Sequence, residues 1–98
     1  MTVNKEQNGS TLTVFIEGKL DAISAPQLEA ELGDLEGVEE LIFDLKDMPY
    51  TSSAGLRVFL NTQNIMDDQG HMLVRNASED VMGIFKETGF TKILDIED

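Results

Sequence analysis

The sequence predicts an α/β domain, a mixed β-sheet of four to five strands covered by about three to four α-helices, in the order β-β-α-β-α-β-α-(β). Three observations lead there. An Asn8-Gly9 pair separates two potential strands. The short run "ELIFDL", Glu40 to Leu45, is nearly continuous in apolar residues, as suits a central parallel strand covered on both faces. Three later segments space their apolar residues with helical periodicity, and parallel strands joined through helices imply right-handed crossovers.

Taken in order, Thr2 to Gln7 and Thr11 to Glu17 flank "NGS", where Asn and Gly both tolerate positive φ, and Leu12, Val14 and Ile16 alternate on one face. Ser24 can cap a helix, with Gln27 as its capping-box partner. Ala25, Leu28, Leu32 and Leu35 then form one stripe, which Gly37 ends. After the Glu40–Leu45 strand and the turn "KDMPY", a helix begins at Ser53. Leu56, Phe59, Leu60 and Met66 point inward, Arg57, Asn61, Asn64 and Asp68 face water, and Gly70 suits the left-handed position after the last turn. "HMLVRN" is another strand. Ser78 caps a last helix in which Val81, Ile84, Phe85 and Thr88 share a face, with Asp80 in the first turn and Gly89 as its stop. "TKILDI" adds a short final strand.

The 98 residues make one domain, 1–98, large enough to bury roughly two thirds of the surface of the unfolded chain. With no cysteine there is neither a disulfide framework nor a thiolate metal site, which suits a reducing compartment. "MTVNKEQNGS" lacks the basic and apolar regions of a signal peptide, and no apolar run approaches the ~18 residues that span a bilayer, so a cytoplasmic protein is expected. Nineteen acidic against seven basic residues give a net charge of −12, which repels phosphate backbones and anionic headgroups. Nucleic acid and membrane are therefore not expected partners. The acidity serves solubility or attracts a basic protein partner.

The hydroxyls Thr51, Ser52 and Ser53 fall just past the carboxyl end of the central strand and at the start of a helix, where ligands of open α/β sheets collect and an anion is favoured. Two readings are open: Ser52 or Ser53 caps the helix, or the hydroxyls are functional. Catalysis finds little support. Thr51-Ser52-Ser53-Ala54-Gly55 only partly matches a G-x-S-x-G elbow, and the single histidine, His71, opens a strand without an acid or oxyanion loop in hydrolase order. No phosphate-binding loop occurs, so no nucleotide, cofactor or small-molecule substrate is expected. Glu39-Glu40, Asp67-Asp68 and the tail "DIED" lack metal-ligand spacing and read as solvated surface, and the sequons at Asn8 and Asn76 carry no meaning without secretion.

"LIFDLKDMPYTSSAGLRVFL" together with "FIEGKLDAISAPQLEAEL" resembles the STAS domain of bacterial anti-sigma factor antagonists over nearly the whole chain. The resemblance implies a non-enzymatic regulator. Unphosphorylated, it binds an anti-sigma factor that is also a serine kinase and so frees a sigma factor; a PP2C-type phosphatase reverses the modification. Matching on Gly55-Leu56 carries the phosphorylated serine to Ser53, with Ser52 where many members have Asp, leaving a second hydroxyl beside the acceptor. The same resemblance implies a partner-binding surface of Asp21, Ser52, Ser53, Ala54, Gly55 and Arg57, and places the acidic Asp44 beside the site. STAS domains also serve as subunits of lipid-transport (ABC-type) complexes, where the fold docks without phosphorylation, and this is the alternative.

Overall fold

The computed structural model describes residues 1–97. β1 (Thr2–Asn8) and β2 (Thr11–Glu17) form the expected hairpin, with Asn8 opposite Thr11. The turn is therefore Gly9-Ser10. Gly9 alone takes the left-handed conformation there, at φ 63°, while Asn8 stays in the strand. Then follow α1 (Ala25–Leu32), β3 (Glu40–Asp47), α2 (Ser53–Gln69), β4 (His71–Arg75), α3 (Glu79–Thr88), a 3₁₀ turn (Phe90–Lys92) and β5 (Asp95–Ile96). Asp98, the end of the acidic tail, lies outside the described residues.

Strand order in the sheet follows chain order, β1-β2-β3-β4-β5, with β1 antiparallel and the rest parallel. Leu12, Leu41 and Met72 stand side by side across the three central strands, and so do Val14, Phe43 and Val74; all six are buried. Phe59 of α2 meets Phe43 edge-on at 5.1 Å between ring centroids, and Phe85 of α3 meets Phe59 at 6.2 Å. α1 packs beside α2. All three helices therefore share one face of the sheet.

The opposite face carries Thr13, Phe15, Ile42 and Leu73, each only half-buried. This corrects the expectation that β3 is covered on both faces. The reason is topological: with each strand added beside the last, right-handed crossovers return every helix to the same side. Covering the second face needs a strand order that doubles back.

Helix ends differ from expectation in three places. α1 stops at Leu32, where Gly33 turns at φ 54° and its N–H reaches Glu29 O at 3.1 Å, not at Gly37. Leu35 is buried from the loop beyond, whose carbonyls at Leu35 and Val38 accept from Gln69 Nε2 at 2.7 and 2.8 Å. Gln27 donates to Met1 O rather than completing a capping box with Ser24. Gly70, at φ 172°, is extended rather than left-handed, and its need for glycine comes from the Glu39 backbone pressed against it. α3 follows expectation: Ser78 Oγ accepts from Val81 N at 3.2 Å, and Gly89 closes the helix at φ 79°. Within it Val81 and Phe85 are buried, whereas Thr88 is exposed and donates to Ile84 O. Among the described residues no helix is long and apolar enough to cross a membrane.

Candidate docking site at the start of α2

Beyond β3 the chain passes Met48 and Pro49 to reach α2, and the loop leaving β2 runs alongside it. Gly18 N–H donates to Asp47 O at 3.0 Å, Leu20 N–H to Tyr50 O at 3.0 Å and Ser52 N–H to Leu20 O at 2.8 Å. These bonds extend the β2–β3 pairing past the sheet and carry Asp21 next to the hydroxyl segment. Gly55 allows the approach. A Cβ there would overlap Thr51 Oγ1 and stand 2.6 Å from Leu20 Cγ, with both neighbours buried. Gly55→Ala is expected to cost about 1–3 kcal/mol by overpacking, read as a lower urea midpoint with unchanged m-value. Gly55 thus sits inside the fold and offers a partner no side chain.

Asp21 holds its own loop. Its Oδ1 accepts from Ile23 N and Ser24 N, both at 3.0 Å, and its carbonyl accepts from Ala25 N at 2.8 Å. Ser24 Oγ returns the favour by accepting from Asp21 N at 2.9 Å and donating to Lys19 O. The reciprocal cap expected of Ser24 and Gln27 is thus built from Asp21 and Ser24, three residues earlier. The Ser24 backbone N–H foremost, with the Ile23 N–H, holds the Asp21 carboxyl below its ordinary value against some desolvation.

The three hydroxyls have different environments. Thr51 is buried and donates to Ser52 O at 3.2 Å. Ser52 occupies the position before the helix in extended conformation, yet its hydroxyl makes no capping bond and is buried without a partner among the described residues. Ser53 opens α2 with its side chain exposed, and no hydrogen bond engages it among the described residues. Neither serine acts as a side-chain cap. Ala54 is half-buried and Arg57, one turn on, is exposed.

Large apolar side chains are exposed on the two segments that meet before α2, and an apolar groove adjoins Ser53. Ile23 is 89% exposed in the Asp21 turn, and Tyr50 is 45% exposed just before Thr51. That groove is shallow, about 310 Å³, and is lined by Ser53, Leu56, Arg57, Leu60, Thr88 and Phe90. Sequence reasoning missed Ile23, Tyr50 and Phe90. The available signal was large apolar residues in segments otherwise read as polar turns.

Asp44 does not join this site. Phe43 and Leu45 point toward the helices, so Asp44 lies on the opposite face, where its Oδ2 accepts from Arg75 Nε and Asn76 Nδ2, each at 3.1 Å. Burial pushes its carboxyl up, but the Lys46 backbone N–H, Arg75 and Asn76 outweigh this and hold it below the ordinary value. Acid lability follows for Asp21 and Asp44. A depressed carboxyl contributes stability that is fully present above the unfolded value near 3.8 and is lost as pH falls through the folded one. Thermal midpoints are therefore expected to fall below about pH 4, and the fall should be shallower in Asp21→Asn and in Asp44→Asn.

His71 sits at the far end of the strands. It pairs with Glu40 in register, and its Nε2 lies 2.7 Å from Asp95 Oδ2. Seven or more residues of strand and turn separate that level from Ser53, roughly 20 Å. No serine–histidine dyad forms. The geometry is that of a one-sided α/β sheet with an exposed hydroxyl beside an apolar groove.

The chain belongs to the STAS domain family, whose sequence profile matches residues 2–98. It is 38% identical over 98 residues to the anti-sigma-B factor antagonist of Bacillus subtilis (strain 168), covering 98% of this chain and 90% of that one. An anti-sigma factor antagonist from Mycobacterium paratuberculosis shares the fold at a TM-score of 0.85 and 22% identity, over 97% of this chain and 83% of that one. The Bacillus cell fate determinant SpoIIAA, solved in its phosphorylated form, shares it at 0.76 and 17% identity, over 99% and 92%.

Proposed function

We propose that this protein is a cytoplasmic anti-sigma factor antagonist whose docking face is switched by phosphorylation of Ser53. Unmodified, it binds an anti-sigma factor with serine kinase activity and releases a sigma factor. Transfer of the γ-phosphoryl group of ATP to Ser53 Oγ, with loss of ADP and a proton, turns the face off, and a PP2C-type phosphatase restores it. The carrying observation is Ser53 itself, an exposed, unengaged hydroxyl at the first position of a 17-residue helix, at the edge of the groove that runs from Leu56 to Phe90. The name of the Bacillus subtilis relative supports the regulatory class.

Placement supports the switch. The helix N-terminus tolerates added negative charge, so the fold survives phosphorylation. The apolar groove does not, because a phosphate of about −1.5 to −2 charge must lose its water on docking. Ser52 is a poorer acceptor, its hydroxyl being enclosed. A pull-down from native lysate with and without ATP, followed by mass spectrometry, tests both halves. An anti-sigma kinase is expected without ATP, and with ATP one phosphate at Ser53 that Ser53→Ala abolishes. Label on Thr51 or Ser52 in the wild type would overturn the assignment.

A further inference from the structure

We infer that Arg57 is the built-in counter-ion for a phosphate on Ser53, so that modification both adds charge to the docking face and removes its cation from partners. The inference rests on Ser53 as the acceptor in the proposed function. Ser53 and Arg57 stand at i and i+4 on α2, a spacing that brings side chains onto one face with Cβ atoms about 5–6 Å apart. Both line the same groove, and both are exposed. The anion comes first and the cation second along the helix, which is the favourable order for the helix dipole.

Arg57 is uncommitted. Among the described residues it takes part in no ion pair, although the chain carries nineteen acidic side chains and only seven Lys and Arg. No acidic residue occupies the first turn of α2, so nothing within the helix competes for it there. A guanidinium presents a planar fork that two phosphate oxygens match, and a charge-assisted pair of this kind is among the stronger hydrogen bonds. In the unmodified protein Arg57 faces the groove as a free cation, suited to a carboxylate presented by a docked partner beside an apolar side chain seated against Leu56, Leu60 and Phe90. Once Ser53 is phosphorylated, the guanidinium swings one turn toward the amino end of the helix and lies across the groove.

The test needs neither the kinase nor the partner. Phosphoserine is installed at position 53 during translation, and the second ionisation of its phosphate is followed by ³¹P NMR in otherwise wild-type protein and in Arg57→Gln. The helix N-terminus acts equally on both. The phosphate of the Arg57→Gln protein is expected to titrate at least about 0.3 pH unit higher, with the difference shrinking at 1 M salt. Arg57→Lys should recover only part of it. Superimposable titrations of the wild-type and Gln proteins would overturn the inference while leaving phosphorylation of Ser53 standing. Failure of cells to phosphorylate Ser53 would instead remove the proposed function without altering the titration.

Discussion

Ser53→Asp is expected to stay folded and to lose at least about a hundredfold in affinity for the anti-sigma partner, equivalent to about 2.7 kcal/mol. The two halves have separate causes. The first turn of α2 carries no acidic side chain and Ser53 is exposed there, so a carboxylate at that position interacts favourably with the helix dipole by about 0.3–1 kcal/mol. The thermal midpoint should hold or rise by a few degrees. Binding fails for the opposite reason: docking over the groove strips water from the new charge, and an ion pair with Arg57 offsets only part of that cost while taking the cation from the partner. Aspartate has fewer acceptor oxygens and less charge than phosphoserine, so authentic phosphorylation should weaken binding further. Circular dichroism melts and calorimetry on wild type, Ser53→Ala and Ser53→Asp separate the two. Near-wild-type affinity of Ser53→Asp, with no release on phosphorylation, would favour a docking subunit that is not phosphorylated.

Gly70→Ala is expected to lower stability by about 3 kcal/mol or more, and the thermal midpoint by roughly 12–24 °C. A Cβ at this position would overlap the Glu39 carbonyl oxygen and approach Glu39 Cα to 2.9 Å. These are backbone atoms. They cannot rotate away as a side chain does, and Glu39 O already accepts His71 N–H at 2.8 Å where β4 begins. Relief therefore requires the starts of β3 and β4 to move apart. Gly83→Ala is the internal control. That glycine lies inside α3 with nothing within 4 Å of an added Cβ, so alanine there should stabilise by about 0.4–1 kcal/mol through helix propensity and unfolded-state entropy. If Gly70→Ala melts within two or three degrees of wild type, the close approach to Glu39 is not what the site requires.

Element order and strand content were legible because periodicity is a local property: Leu12, Val14 and Ile16 alternate, and Val81 and Phe85 recur one helical turn apart. Coverage of the sheet was not, because an apolar strand such as "ELIFDL" has the same composition whether one face or two are packed. Caps were legible only where no tertiary rival existed. Ser78 capped α3 as its type predicts, but Ser24 was drawn into bonds with Asp21 and Lys19, and Gly70 answered to a contact more than thirty residues away. The position of Ser53 at the start of α2 could be read from helical periodicity. Asp44 could not, since period-2 alternation had to be anchored by Phe43 facing Phe59 before its side could be assigned. Ile23 and Tyr50 stand out once their exposure is known, and half-buried Phe90 only as a wall of the groove.

Strand order that follows chain order also shapes how the molecule is assembled. No strand has to be threaded between two that are already paired, and every parallel neighbour is the next strand along the chain. Each parallel pairing therefore closes over a single helical crossover, and stepwise growth at one edge is the natural route. Growth from the β1–β2 hairpin toward β5 coincides with the direction of synthesis. The proposed docking face draws its loop from residues 18–24 and its hydroxyls from 51–53, so both halves of it emerge from the ribosome before β4 and α3 do. The groove closes last, when Phe90 arrives against α2. A nascent chain thus displays Ser53 before the wall formed by Phe90 exists, and full partner affinity should appear only after the C-terminal turn has docked.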